Sequence, residues 1–572
     1  MGTLFSALDI GRAGLQVAQV QLDVTAHNIA NVNKEGFSRQ RVEVATRTPN
    51  FKPYGTLGRG PGIQGIERLR DTFFDTVYRQ QVPGLGKAEV KANLFTLLED
   101  TFQEPGEEGF ASRLNLFFDA INDFANNVEA VPVRVGLLTE AESMAASLRD
   151  TANRLDLLVT NANEEVRNLV PEINSLLERI GASNVAIRDA ELSGRTANDL
   201  RDDRDVLLDE LARLVFITTR ETDAGQVTVL IGGVESVRGD RVRLLETFID
   251  PTINPDRPDL LGVRYVDVGE AANIVDGELA GALEFRDVDA RGQIIRHNQM
   301  AAALIQAINA IHSQANGAIN YTSAVSSTNA VSDSTIPLSL NDLTPFPIQT
   351  GSFDINIYDA TNTLVSTLTI NIDASGNVLT ESTLNSIRDD IDAGANISAS
   401  TSGGILTITP DAGFSIGFSN DTANILPALG INGLFTGSTA FDIEVNQDLI
   451  DEPLLLASGY STDFLETGDN TAALDMADVR ILDILEGNTQ TINQFFEGTI
   501  VNVGVATRSN NDQRIIQESF VQDFDRRRQE VSGVNINEEV TNLLQFQRAF
   551  EASARIITTT DRMLETLLNI VR

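Results

Sequence analysis

At 572 residues, 42% of them hydrophobic, the chain is long enough for about four domains and can bury sizeable cores. It has no cysteine, which excludes disulfides and thiolate metal sites, and only His27, His297 and His312, too few for a histidine-rich metal centre. The net charge of −38 is uneven: residues 1–91 hold 12 Lys and Arg against 8 Asp and Glu, residues 505–572 hold 9 against 10, and the interior is left with −41. Such an interior repels nucleic acid and anionic headgroups, whereas the near-neutral ends can approach copies of themselves. No apolar run approaches the ~18 residues of a membrane helix. Asp9 and Arg12 interrupt the stretch a cleavable secretory leader would need, so none is expected.

The chain opens on a helical stripe. Leu8, Leu15, Leu22 and Ile29 stand seven apart, and Gly11, Ala18, Thr25 and Val32 follow each by three. Asn33–Gly36 breaks this helix; Val42 and Val44 then alternate as in a strand, and "PNFKPYGTLGRGPG" reads as loop. Residues 85–215 predict long helices, with a stripe at Leu114, Phe117, Phe118, Ile121 and Phe124 and a break or kink at Pro171. Short strands are expected in "QVTVLIGGVESVRG" and "GVRYVDVG", and a helix in "QMAAALIQAINAIHSQANG". Residues 321–450 hold one basic residue, Arg388, and much Ser, Thr, Asn and Gly; "FDINIYD", "TLVSTLTINID", "GILTITP" and "FDIEVN" alternate as strands around a helix in "ESTLNSIRDDIDA". Helical pattern returns after about 475. In the last 30 residues Leu543, Phe550, Ile557 and Leu564 are again seven apart, with Gln547, Ala554, Asp561 and Leu568 four residues after each.

These spacings predict a multidomain α+β chain. The expected parts are a terminal coiled-coil assembly domain (1–35 with 535–572), a long-helix-rich middle domain with small β elements (36–320 with 475–534), and an inserted β-rich outer domain (321–474). The two terminal stripes fit either ordinary amphipathic helices on the subunit's own core or a seam between helices. One seam against one partner returns less than ordering a terminal helix costs, so several neighbours are expected.

Motifs that could carry chemistry are weak. "GFSIG" around Ser415 fits a nucleophile elbow, but turn residues follow where a helix should open, and every histidine precedes the serine. "GPGIQG" at 60–65 lacks the preceding strand of a dinucleotide site and reads as a turn entering a strand. "RDDRD" at 201–205 alternates in sign along a helix and is expected to form solvated ion pairs. Asp389, Asp390 and Asp392 lack the spacing of a calcium loop. No catalytic, cofactor-binding or metal site is expected.

Two end motifs carry a resemblance. "AHNIANVNKEGFSRQRVEV" and "SGVNINEEVTNLLQFQRAFEASARIITTTDRMLETLLNIV" resemble the N- and C-terminal motifs of bacterial flagellar rod, hook and hook-associated proteins. Inside, "NDLRDDRDVLLDELARLV", "GELAGALEFRDV", "AINAIHSQANG" and "ALGINGLFTGSTAFDIEVN" resemble the hook-associated protein 1 family, the first of two hook–filament junction proteins. The resemblance implies a non-enzymatic structural protein without cofactor, exported through the flagellar type III channel to an extracellular position at the hook tip. It implies a homo-oligomeric ring, contacts with hook protein and the second junction protein, and an export chaperone on the C-terminal helix, but no nucleic-acid or membrane partner. Joined to the stripes, it predicts an assembly interface of Leu8, Leu15, Leu22, Ile29, Leu543, Phe550, Ile557, Leu564 and Leu568, the first four facing the C-terminal column. The alternatives are another axial component, of the hook or distal rod, and a secreted serine hydrolase using Ser415.

Overall fold

The computed structural model describes all residues except 1, 53–54, 103, 105, 107–108, 193, 223–224, 250–256, 342–345, 377–379, 463–467 and 572. The chain forms two compact units. One comprises residues 1–93, 161–285 and 509–572; the other comprises 94–160 and 286–508.

The first unit opens with α1 (Gly2–Ala30), followed by β1 (Gln40–Thr46), β2 (Asn50–Lys52), β3 (Gly55–Leu57) and β4 (Pro61–Arg68). Antiparallel β1 and β4 make a two-stranded ribbon that β2 and β3 extend. The stretch expected as loop therefore contains two short paired strands, Asn50–Lys52 and Gly55–Leu57. Gly36, with φ of 74°, ends the break after α1 where a Cβ would lie 2.2 Å from Val206 Cγ2, so the residue has to be glycine. The chain continues into α2 (Thr72–Phe102), α3 (Phe110–Asn126), α4 (Val131–Glu191) and α5 (Asn198–Leu214). Pro171 does not end α4: losing one backbone donor is tolerated because Val166, Leu169, Val170, Ile173 and Leu177 around it are buried.

A meander follows: β5 (Ile217–Glu221), β6 (Val227–Ile231), β7 (Val234–Arg238) and β8 (Arg241–Val242), with β6 and β7 turning at Gly232–Gly233. The hairpin of β9 (Leu245–Ile249) and β10 (Leu261–Tyr265) and the short α6 (Glu278–Glu284) complete this part. Its core joins Val166, Ile173, Leu177 and Ile180 of α4 to Leu208 and Leu211 of α5, Val229, Ile231 and Val237 of the meander, and Leu279.

In the second unit the aromatic stripe of α3 is buried throughout. Phe110 stacks edge-on against Phe496, and Phe117 packs against Phe118 and Phe435. A π-helical turn at Phe285–Ala290 leads into α7 (Arg291–His312). The β-rich part holds β11 (Val325–Ser326), β12 (Gly351–Asp359), β13 (Leu364–Ile372), α8 (Leu384–Asp392), β14 (Ile397–Ser402), β15 (Ile405–Pro410) and β16 (Phe414–Ser419). Two antiparallel three-stranded sheets, β13-β12-β16 and β11-β15-β14, bury Phe353, Ile355, Ile370, Leu406, Ile408 and Phe418 with α8. Thr383 and Ser386 form a capping box that starts α8.

Short elements follow: α9 (Ile425–Leu429), β17 (Phe435–Thr436), β18 (Glu444–Val445), α10 (Gln447–Asp451) and α11 (Thr471–Asp478). The alternation in "FDIEVN" thus yields a two-residue strand. Buried His312 fastens this region: its Nδ1 lies 2.8 Å from the Asn432 carbonyl, and the Ala457 amide donates to its Nε2 at 3.0 Å. These partners fix the neutral tautomer with the proton on Nδ1. The chain closes through α12 (Ile492–Ser532) and α13 (Ile536–Val571).

Candidate assembly interface at the chain termini

The two terminal stripes meet. α1 and α13 form an antiparallel pair in which Gly11 lies beside Ile556 and Ile557, Gly14 beside Ser553, and Asn28 beside Glu539. A Cβ on Gly11 would lie 3.1 Å from Ile557 Cγ1, and one on Gly14 would lie 2.8 Å from Ser553 Oγ. The axes approach this closely because α1 presents Gly11 and Gly14 to its partner.

This register refines the expected seam. It sets Leu8, Leu15, Leu22 and Ile29 level with Thr560, Ser553, Phe546 and Glu539, not one-to-one with the column of Leu543, Phe550, Ile557 and Leu564. All eight predicted residues are half-buried within the subunit, and Leu568 is 70% exposed. The second column on α13 falls three residues after the first: Phe546, Ser553 and Thr560 are covered, while Gln547 and Asp561 stand in solvent. Apolar side chains remain uncovered along the last helix, at Ile536, Val540, Leu544, Ile556, Met563 and Leu567.

The base of the pair is tied by polar groups. Asn28 donates to Glu539 Oε2 at 3.0 Å and to the Gln40 carbonyl at 2.9 Å, and accepts from the Gln40 amide at 2.9 Å. The Arg39 guanidinium bonds Glu538 and Glu539 in the first turn of α13, at 2.9 and 2.7 Å, where carboxylates also suit the helix dipole. The Arg39 amide donates to the Ser532 carbonyl at 2.8 Å. The exit of α1 and the entrance of α13 are thus fastened to one another.

Behind that base lies a buried charge cluster, and here the sequence expectation fails. Asp202, Arg204 and Asp205 of "RDDRD" are buried rather than solvated. Ser38 donates to Asp202 through its amide at 2.9 Å and its hydroxyl at 2.7 Å. Arg68 bonds Asp202 and Asp205, each at 2.8 Å. Arg70 holds Asp75 at 2.6 Å and reaches Asp205 at 3.2 Å. Arg79 spans Asp205 and Asp209, and Arg528 of α12 also reaches Asp209 while lying 4.1 Å above the Tyr78 ring. Burial pushes the Asp205 carboxyl up, but Arg70, Arg79 and Arg68 overcome it and hold it well below the usual carboxylate range. At Asp202 burial wins over the bonds from Ser38 and the charge of Arg68, and the carboxyl is raised. The arginines come from segments more than 100 residues away in sequence, so a reading of helix spacing could not find them. The available signal was the charge asymmetry, which crowds basic residues into 1–91.

Ser415 lies buried inside β16, paired across to Tyr358, and has no strand-to-helix elbow around it. Among the described residues, no group of three or more His, Asp or Glu side chains could hold a metal ion, and no helix is long and apolar enough to cross a membrane.

Comparison with known proteins agrees with this arrangement at both ends and in the middle. Residues 95–321 match the family model of the flagellar hook-associated protein FlgK helical domain. Residues 8–37 match that of the flagella basal body rod protein, and 527–570 that of the flagellar basal body rod FlgEFG protein C-terminal. Flagellar hook-associated protein 1 of Bacillus subtilis is 24% identical over 586 residues, covering 100% of this chain and 99% of its own. That of Escherichia coli is also 24% identical, covering 99% and 100%. The flagellar hook junction protein FlgK from Burkholderia pseudomallei shares the fold, with a TM-score of 0.50 and 16% identity over 79% of this chain and 100% of that one. The terminal matches are those of axial proteins of the flagellum. With the helical middle and the full-length relatives, the chain is similar along its whole length to proteins named flagellar hook-associated protein 1.

Proposed function

We propose that this protein is a structural component of the bacterial flagellum that polymerises at the hook tip and forms the junction between hook and filament. The paired terminal helices carry the reading: they are locked to each other at the base, yet keep apolar side chains uncovered along α13. In a ring, these faces pack against the pairs of neighbouring copies around the axial channel, and Leu568 and the half-buried Leu8, Leu15, Leu22, Ile29, Leu543, Phe550, Ile557 and Leu564 become covered. The near-neutral charge of both ends leaves that packing unopposed.

On this reading the ring touches hook protein on one side and the second junction protein on the other. The chain travels through the flagellar type III apparatus with an export chaperone on α13, and it catalyses no reaction. Residues 1–35 with 535–572 form the assembly part, 36–320 with 475–534 the helix-rich part, and 321–474 the outer insertion. The test is a strain lacking this chain. It is expected to build hooks of normal length, carry no filaments and shed flagellin into the medium. Loss of the hooks themselves would assign the chain to the rod instead, and normal filaments would overturn the reading.

A further inference from the structure

Two exposed apolar surfaces outside the terminal helices carry opposite charge. The first is the ribbon of β1 to β4. Val44 and Ile63 are cross-strand partners and both are exposed; Leu57 is exposed beyond them, and Phe51 is 82% exposed. Residues 40–67 hold Arg41, Arg47, Lys52 and Arg59 against Glu43 and Glu67, so the ribbon is positive on a chain of net −38. Arg41 is taken by Glu67 at 2.6 Å and Arg59 approaches Asp9 at 3.5 Å. Arg47, whose stem lies over Gly62 next to the Val44–Ile63 pair, has no carboxylate partner among the described residues.

The second surface lies where α11 packs on α3. Arg480 donates to Asn115 and Asp119, both at 2.9 Å, which fastens the segment that continues into Ile481 and Leu482 to the Asn115–Asp119 turn of α3. Ile481 is 72% exposed, and Leu116, Leu474 and Leu482 are exposed around it. The rim is acidic: Asp119, Asp123, Asp475, Asp478, Asp483 and Glu486 are exposed, with Arg480 pairing Asp119 and Arg296 approaching Glu486 at 3.7 Å. Asp123, Asp478 and Asp483 have no cationic partner among the described residues. Four exposed large aliphatic side chains on two elements tied together by Arg480 exceed the scattered single exposures normal for a monomer surface.

We infer that the β1–β4 ribbon of one copy docks on the α3–α11 surface of a second copy, with Val44 and Ile63 against Ile481 and Leu482 and Arg47 among Asp123, Asp478 and Asp483. Apolar centres match in kind and the rims match in sign, which like-charged copies of so acidic a chain need in order to approach. The contact joins two different surfaces, so it repeats head-to-tail and generates a ring or an open helix rather than a closed dimer. This inference rests on the reading of the chain as a ring-forming protein and adds a second, outer contact to the terminal helices.

A chain without cysteine makes the test clean. Full-length Ile63→Cys/Ile481→Cys is expressed in place of the wild-type chain, flagella are isolated and oxidised, and non-reducing gels are blotted. A ladder of dimers and higher multimers is expected, absent from either single variant. Monomer alone, in cells whose hooks carry the chain and filaments, overturns the ribbon contact and leaves the junction reading intact. Absence of the chain from the hook tip by immunogold labelling overturns the junction reading itself. If the double variant fails to assemble, co-expression with wild type restores rings and the same ladder is read. Charge reversal gives a second readout: Arg47→Glu is expected to reduce filament-bearing cells severalfold, and adding Asp483→Arg to restore them. Equal loss in the single and double reversals counts against the inference.

Discussion

Replacing Asp205 with asparagine keeps the size of the side chain and removes one charge. The carboxylate now touches three guanidinium groups, those of Arg68 at 2.8 Å, Arg79 at 3.0 Å and Arg70 at 3.2 Å. After the change, Asp75, Asp202 and Asp209 are the nearby counter-charges left to the arginines among the described residues, in a largely buried setting. Removing one member of a buried ionic group costs about 3–5 kcal/mol, because the remaining charge stays buried without compensation. For a unit of this size that is a fall of roughly 6–20 °C in the midpoint of its unfolding. The control sits two residues away on the same helix: Asp203 is exposed and pairs only with Lys34, at 2.9 Å. Asp203→Asn should cost about 0–1 kcal/mol. The assay is calorimetric unfolding of the full chain, following the transition that shifts. If both variants unfold within about 2 °C of each other, the cluster is solvated and the reasoning fails.

Acid should weaken the second unit before its carboxylates titrate. Burial lowers His297 and His312 to about 4, so the fold refuses protons that the unfolded chain accepts below about pH 6.5. Their contribution is whole above pH 6.5 and is lost as pH falls toward about 4, by up to about 3 kcal/mol per ring; a melting midpoint that stays flat between pH 6.5 and 5 contradicts this. Leu564→Asp should loosen the α1–α13 pair and abolish filaments while the protein remains stable and is shed into the medium, read on blots of cells and medium. Leu568→Asp, at an exposed position, should leave monomer stability within about 0.5 kcal/mol yet still block the junction, and full-length filaments on that strain would remove Leu568 from the interface.

The stripes were legible wherever period alone decides. The seven-residue spacing located both terminal helices, the α3 phenylalanines showed a buried face, and alternation located β12, β13 and β15. Column assignment on α13 was less secure, since three- and four-residue offsets both satisfy a heptad and only the partner chooses. Phe546, Ser553 and Thr560 are covered where Gln547 and Asp561 are exposed, and Gly11 and Gly14 let α1 sit close on that side. "RDDRD" misled for a different reason. Its signs alternate as on a solvated face, and nothing local reveals that Arg68, Arg70 and Arg79 fold over it. Between Asn50 and Leu57, proline and glycine content suggested loop, whereas Asn50–Lys52 and Gly55–Leu57 pair as antiparallel strands.

The tie between Asn28 and Glu539 spans 511 positions of sequence. On the proposed export route, the chain leaves end-first through a narrow channel and carries one half of this contact out long before the other. The first helix waits without its partner while the whole interior folds, and only the last segment to emerge completes the pair. A truncated chain, however well its interior folded, would lack the closing half and could not present a finished surface to its neighbours. On that route, the pairing of α1 with α13 makes readiness to assemble conditional on delivery of both helices.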